Sequence, residues 1–352
     1  MPAPDAPPPR PRRAAAPPAW GPRNSFALAV LLLTLAVGVQ FYFFLDQAAG
    51  PGPVRVQRPP GVEGFLPIGA MMGWKLLAQT GHWDRVHPAA MVILGWAGLV
   101  SLALRKSFCS WFCPVGTVSE WCWKAGRRLL GRDFAPPKWL DIPLRGVKYL
   151  LLGFFLWVIW RMSAPAVAAF LQGPYYQVSD VKMLHFFTRM TPLTAAVLAA
   201  LAVLSFFIRN FWCRYLCPYG ALMGLLALMG PTRIQRDPVK CTGCGRCGEV
   251  CPHRLPVPAK ARILSAECSG CLDCTRVCPV ERALELKSVG LGRWAWRPAA
   301  LGLAVGLSFC AAVWAAEVTG HWQSSLPTVR VRMLMKALDS PVLKHPGVGG
   351  LN

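Results

Sequence analysis

Eight cysteines between residues 241 and 278 fall in two copies of one pattern, C-x2-C-x2-C-x3-C-P. The first copy is Cys241, Cys244, Cys247, Cys251 and Pro252; the second is Cys268, Cys271, Cys274, Cys278 and Pro279. Thiolates at i, i+3 and i+6 wrap a loop around one face of an iron–sulfur cube, and the proline ends each run and turns the chain back. Zinc favours cysteine pairs separated by a longer gap, so two zinc sites are the weaker reading.

When such runs come in pairs, the fourth ligand of each cube belongs to the other run. The expected sets are Cys241, Cys244, Cys247 and Cys278 for one [4Fe–4S] cluster, and Cys268, Cys271, Cys274 and Cys251 for the other. Gly243, Gly245, Gly248 and Gly270 relieve crowding where backbone approaches a cube. No C-x-x-C-H occurs, so covalent c-type haem is not indicated.

The rest of the chain is apolar. Hydrophobic residues make up 54% and charged residues only 15%, well under the ~25% of a soluble domain. Five runs approach the roughly 20 residues of a membrane crossing: 25–45, 88–104, 148–171, 192–209 and 295–316. The first is too long for a secretory h-region and reads as an uncleaved span. Arg161 in the third implies either a helix end near Met162, with the charge at the outer interface, or a charge at membrane depth.

The net charge of +22 invites a nucleic-acid reading, but the basic residues sit in loops beside apolar runs. Segments 1–24, 105–148 and 209–294 hold 26 Lys and Arg; 46–87, 172–191 and 317–352 hold ten. This bias places the N-terminus and both large loops in the cytoplasm, where ligand thiols also stay reduced.

The expected fold is therefore a membrane all-α protein of about five transmembrane helices with an inserted small α+β two-[4Fe–4S] ferredoxin-like module. Residues 1–24 form a disordered basic tail, 25–231 a four-helix transmembrane region, and 232–290 the ferredoxin-like domain. Residues 291–318 form the fifth transmembrane helix and 319–352 a C-terminal tail. Residues 64–79 are an interfacial or re-entrant element, and 172–191 an aromatic outer loop.

An internal repeat aligns Arg105-Lys-Ser-Phe-Cys109-Ser-Trp-Phe-Cys113-Pro-Val-Gly with Arg209-Asn-Phe-Trp-Cys213-Arg-Tyr-Leu-Cys217-Pro-Tyr-Gly. Cys109, Cys113, Cys213 and Cys217 could converge to bind a metal or further cluster, form redox-active thiol pairs, or simply pack at helix ends. Cys122 and Cys310 read as packing residues. Gly302 and Gly306 permit close helix contact. Glu120 and Arg127–Arg128 read as solvated or headgroup-facing.

On the outer side, His82, His87 and His185 accompany Asp84, Tyr175, Tyr176 and Asp180. A quinol releases protons with its electrons, and histidine titrates in the right range to accept them. His87 and His185 are the quinol-side candidates.

The order of spans, F-C-S-W-F-C-P-V-G-T-V-S-E, F-W-C-R-Y-L-C-P-Y-G and the double cluster motif resembles the NapH/NosR/CcoG-like membrane polyferredoxin family. Gly64-Phe-Leu-Pro-Ile-Gly, Val86-His87-Pro88-Ala and Thr319-Gly-His-Trp-Gln look like a ferredoxin-type subgroup of it. The resemblance implies a bacterial inner-membrane protein passing electrons between the quinone pool and a redox partner protein or respiratory enzyme. A second reading is an assembly factor that reduces a metal such as copper at the paired cysteines, since soft thiolates suit Cu(I).

Overall fold

The computed structural model describes residues 20–132, 134–288 and 294–338, with Ser340 and Leu343. Along the chain, α1 (Pro22–Ala49), α2 (Pro67–Thr80), α3 (Pro88–Ala103), α4 (Pro114–Leu130) and α5 (Lys138–Arg161) lead to the short helices α6 (Ala164–Gln172), α7 (Pro174–Gln177) and α8 (Ser179–Thr188). Then come α9 (Pro192–Phe207), α10 (Pro218–Met229), β1 (Thr232–Arg236), α11 (Arg246–Glu249), α12 (Asp273–Arg276), β2 (Leu284–Ser288), β3 (Ala295–Trp296), α13 (Pro298–Val318) and α14 (Thr328–Lys336). Prolines open α2, α4 and α10, where the missing N–H costs nothing and the ring presets φ.

Among the described residues, α1, α5 and α13 are long and apolar enough to cross a membrane. A fourth candidate joins α8 and α9, which bend by 78° at the break between them. Helices α3 and α10 are apolar but shorter. The architecture is thus helical with three to four candidate spans, fewer than the five expected from hydropathy.

Several expectations shift in detail. The first helix opens at Pro22 with Arg23 and Asn24 buried, so the proposed tail loses its last residues; residues 1–19 lie outside the described part. Segment 172–191 is largely helical rather than a loop. The third apolar run is broken: α5 stops at Arg161, which is exposed, and α6 starts afresh on the Ser163 cap. The Lys75 ammonium donates to the carbonyls of Ile159 at 2.8 Å, Trp160 at 3.1 Å, and Met162, satisfying acceptors that a continuing helix would have used. Cys310 is exposed on α13 rather than packed.

Contacts divide the chain into two compact units, with boundaries inside α1, α3, α5, α9 and α13. The first holds the chain up to Val30, Gly98–Tyr149 and Leu201–Gly306, and so contains every cysteine-bearing motif. Its three-stranded antiparallel sheet runs β1-β2-β3, with Ile234 opposite Leu286 and Leu286 opposite Trp296. The sheet extends past residue 290 because β3 adds to it. Thr232 Oγ1 donates to the Ala103 carbonyl at 2.6 Å, fastening the sheet to the end of α3. The second unit comprises Leu31–Ala97, Leu150–Ala200 and the chain from Leu307. Its apolar clusters are built by Met72, Leu76, Ile159, Val167 and Leu171, and by Phe41, Phe44, Val178, Val181 and Val331.

Candidate iron–sulfur centre

The two cysteine runs fold alike. In the first, Gly243 and Gly245 have φ of +68° and +76°; in the second, Gly270 and Leu272 at the matching positions both have +62°. Each run then enters one helical turn, α11 or α12. Left-handed residues turn successive amides toward the thiols, and Leu272 accepts a conformation that usually favours glycine.

The thiols sort into two groups that cross between runs. Cys241, Cys244, Cys247 and Cys278 line one cavity, walled by Pro258, Val280 and Leu284. Cys247 is pushed up to about 11, first by burial and then by Cys241, Cys244 and Cys278. Cys251, Cys268, Cys271 and Cys274 form the other group, and all four are buried. The Cys274 thiol is pushed far up, first by burial and then by Cys271, Cys251 and Cys268. The groups differ in exposure: Cys244 is open to solvent and its three companions are half-buried. Both sets offer four soft sulfur donors with loop amides nearby, the donor chemistry an iron–sulfur cube requires.

The buried group is tied to the repeated C-x3-C-P segments through its own loop. Ser110 Oγ donates to the Ser269 carbonyl at 2.7 Å and Trp111 Nε1 to that of Gly270 at 3.1 Å. Arg105 donates to the Ser265 carbonyl at 2.6 Å. From the second repeat, Arg209 reaches the Cys251 carbonyl at 2.5 Å and Arg214 that of His253 at 2.8 Å. Gly302 of α13 lies against the Trp111 ring, where a Cβ would come within 2.8 Å, so the G-x-x-x-G makes a real close approach.

Two buried ion-pair networks reinforce this attachment. Arg23 grips Glu120 through both guanidinium nitrogens at 2.5 and 2.8 Å and reaches Asp273, between Cys271 and Cys274, at 3.1 Å. Glu120 is only 5% exposed, which corrects the expectation that it is solvated. Burial would raise its pKa, yet the charge and hydrogen bond of Arg23 outweigh this and hold it far below the carboxylate range. Lys148 bonds both oxygens of Glu267 at 2.6 Å.

The repeat is also structural. Each copy makes a single π turn, Phe108–Phe112 and Trp212–Leu216, closed by Cys113 N–H to the Phe108 carbonyl at 2.9 Å and Cys217 N–H to that of Trp212 at 3.0 Å. Cys113 and Cys217 then cap α4 and α10. Burial first, and then the charges of Cys217, Cys113 and Cys109, push the Cys213 thiol well up, so all four thiols act on one another. Lys106, 2% exposed, lies among them. No group of three or more His, Cys, Asp or Glu among the described residues is arranged to hold a single metal ion.

In the second unit, His87 is fully buried. Its Nδ1 lies 3.3 Å from Glu63 Oε1 and 3.3 Å from an Arg58 nitrogen, and its Nε2 lies 2.8 Å from the Tyr176 carbonyl. Arg58 also binds Asp180 at 2.6 Å. Burial lowers the His87 pKa, but the hydrogen bond and charge of Glu63, with Asp180, raise it overall. His185 sits elsewhere, on the half-buried face of α8. A separate cleft of about 1050 Å³ brings together His82, Asp84 and His321 with Leu76, Ala168 and Leu171. Tyr176 donates to Asp84 there at 2.7 Å. Sequence reasoning weighed His82 and Asp84 but missed His321, far away in the chain.

The family model described as "4Fe-4S binding domain" matches residues 86–133 and again 190–236, and that described as "4Fe-4S dicluster domain" matches 233–279. The protein named "Putative electron transport protein YccM" of Escherichia coli (strain K12) is 39% identical over 333 residues, covering 92% of this chain and 91% of its own. Protein NirI of Paracoccus denitrificans (strain Pd 1222) is 31% identical over 174 residues, 47% of this chain and 24% of NirI. Regulatory protein NosR of Pseudomonas aeruginosa is 26% identical over 255 residues, 67% of this chain and 34% of NosR. No solved structure matches the chain. With YccM aligned over nearly its whole length and both motif types inside matched segments, the chain belongs to the family of 4Fe-4S ferredoxin-type membrane electron transport proteins.

Proposed function

We propose that this protein conducts electrons between the quinone pool and a redox partner protein through two [4Fe–4S] clusters. Cys241, Cys244, Cys247 and Cys278 would hold one cluster, and Cys268, Cys271, Cys274 and Cys251 the other. Bound cubes supply one-electron steps, so one quinol, giving two electrons and two protons, matches the pair. The observation that carries this reading is the unequal burial of the two thiol groups: one opens to solvent, where a partner can dock, and the other is closed and bonded to the turns that follow apolar helices.

The inner-membrane location and the cytoplasmic side for the cluster loop rest on the charge bias of 26 basic residues against ten. The quinone half rests on the cleft of the second unit. Its apolar wall suits a ring, and His82, Asp84 and His321 offer proton acceptors. His87, locked between Glu63 and the Tyr176 carbonyl, serves this reading as a positioning residue rather than the first acceptor. Chemically reduced protein mixed anaerobically with a soluble quinone analogue should lose its cluster EPR signal, and Asp84→Asn should slow that loss. Clusters that stay reduced under excess quinone contradict the quinone half. The copper-reducing reading would instead use Cys109, Cys113, Cys213 and Cys217 as the metal ligands.

A further inference from the structure

We propose that the face around the exposed thiol group is a docking surface for a soluble one-electron carrier protein whose own surface is acidic. This names the chemistry of the redox partner in the reading above, and rests on that reading for the cluster itself.

The fold gathers basic residues at the mouth of the cavity that holds Cys241, Cys244, Cys247 and Cys278. Arg236 ends β1 and lines that cavity. Lys240 precedes Cys241, and Arg246 lies between Gly245 and Cys247. The chain then returns alongside: the Arg236 N–H donates to the Ala261 carbonyl at 2.7 Å, and Gln235 bridges to Arg262. This pairing brings Lys260 and Arg262 to the same strand end. Arg282 precedes Ala283 and Leu284, which wall the cavity. Lys240, Arg246, Lys260, Arg262 and Arg282 are all exposed.

Little offsets this charge. Segments 236–262 and 279–283 hold seven Lys and Arg against three Asp and Glu. One of the acids, Asp237, is committed to a turn: its Oδ1 accepts from the amides of Val239 at 3.0 Å and Lys240 at 3.4 Å, and its Oδ2 lies 3.9 Å from Lys240 Nζ. That turn holds Val239 out in solvent, 93% exposed, as an apolar contact within a basic rim. Among the described residues, Arg246, Lys260, Arg262 and Arg282 have no side-chain ion pair. A positive rim of this kind attracts an oppositely charged partner and orients it on arrival.

Shape decides between a protein and a small molecule. Cys278, Val280 and Leu284 line the thiol cavity and also an adjoining open cleft of about 1150 Å³. Small-molecule pockets reach roughly 1000 Å³ and enclose most of their ligand. This cleft is larger and open, as suits a protruding loop of a partner. Trp294, Trp296, Arg282 and Arg297 also line it. Trp294 is 58% exposed and meets the Trp296 ring edge-on at 6.4 Å, while Trp296 Nε1 donates to Ser288 Oγ at 2.9 Å and is thereby fixed. Tryptophan and arginine are the residue types that anchor protein interfaces. An acidic loop seated there meets two guanidinium groups and comes to rest beside Cys278. One electron then leaves the carrier, which is oxidised by one, and enters the exposed cluster, which is reduced by one, or the reverse; no bond forms or breaks and no proton moves.

The test uses anaerobically purified full-length protein, with an acidic [2Fe–2S] ferredoxin as probe and a basic c-type cytochrome as its opposite. Binding is measured at low and at physiological ionic strength. Stopped-flow electron transfer is run with the ferredoxin reduced and with it oxidised, so that one direction is downhill. The ferredoxin should bind about tenfold or more tighter than the cytochrome at low salt, and should lose about tenfold in affinity at physiological salt. Lys260→Glu with Arg262→Glu should weaken binding and slow transfer about tenfold, and Trp294→Ala should weaken binding about tenfold while leaving its salt dependence in place. Arg128→Glu with Arg132→Glu makes the same change in net charge at the exposed end of α4 and should alter neither. Equal binding of the two probes, or equal effects of the two charge reversals, overturns the proposal. So does a Lys260 and Arg262 reversal that releases the protein from anionic lipid vesicles while ferredoxin binding persists, since the face is then a lipid contact. Iron content and EPR on the same samples report the clusters without any partner: their absence defeats the two-cluster reading, whereas intact clusters with no preference for the acidic probe defeat only this proposal. The wild-type comparison of the two probes decides even if a variant fails to fold.

Discussion

Replacing Glu120 with Gln probes how the buried thiol loop is held. Arg23 is 3% exposed and makes three charged hydrogen bonds, two to Glu120 and one to Asp273. The amide keeps the shape of the carboxylate but turns one acceptor into a donor facing a guanidinium N–H. Removing one partner of a buried ion pair costs about 3–5 kcal/mol, and because Asp273 still pairs with Arg23 at 3.1 Å, about 2–3 kcal/mol is expected here. Lys124, the other neighbour of Glu120, is 17% exposed on its side chain and can turn to solvent, so it adds little. About 2–3 kcal/mol raises the open population of the loop on the order of 30- to 150-fold. Because Asp273 lies between Cys271 and Cys274, the damage should begin at the buried group. The assay is thermal unfolding of detergent-purified protein alongside anaerobic EPR. An unchanged midpoint, or loss of the exposed group's cluster while the buried one survives, refutes the reasoning.

The acid limb of stability should depend on Glu267. Burial would raise its pKa, but Lys106 and Lys148 pull it down from 4.5 to about 2, so its stabilisation of about 3 kcal/mol is complete above pH 4.5 and is lost as pH falls toward 2. Glu267→Gln should flatten acid unfolding between those values, and an unaltered acid profile contradicts the ion-pair assignment. Gly116→Ala should destabilise by a few kcal/mol through the clash with the Cys109 carbonyl, whereas Gly153→Ala, which faces open space, should be near neutral; melting of the two variants checks this. In cluster-free protein a maleimide should label Cys244 well before Cys274, and equal rates read by mass spectrometry contradict the difference in burial.

The paired cysteine runs were legible because ligand spacing is local: a cube fixes thiols three residues apart whatever surrounds it. Grouping Cys278 with the first run and Cys251 with the second was expected from the reciprocal geometry of paired runs, and the described thiols sort the same way. The C-x3-C-P repeat could be read from its duplicated order, but the π turn in each copy could not, because nothing in the spacing marks it. Glu120 was misread because its partner Arg23 lies 97 residues away, and pairing across that distance leaves no mark in local composition. Lys106 looked like one more basic loop residue until the fold buried it among thiols. The break after Arg161 was left open in sequence although Pro165, which cannot bond back to Arg161, and the Ser163 cap mark it locally; the Lys75 ammonium, distant in sequence, covers the freed carbonyls. The five expected runs were read from apolar composition, which does not register that among the described residues α3 is short and α8–α9 is bent.

The claim at the centre of this account is that thiols cross between the two runs to hold two cubes of unequal exposure. It is tested most directly by low-temperature EPR of the reduced full-length protein and three single variants. Cys278→Ser and Cys244→Ser should remove the same signal despite coming from different runs, and Cys274→Ser should remove the other. A wild-type protein without cluster signals, or a Cys278→Ser variant that matches Cys274→Ser, would contradict it.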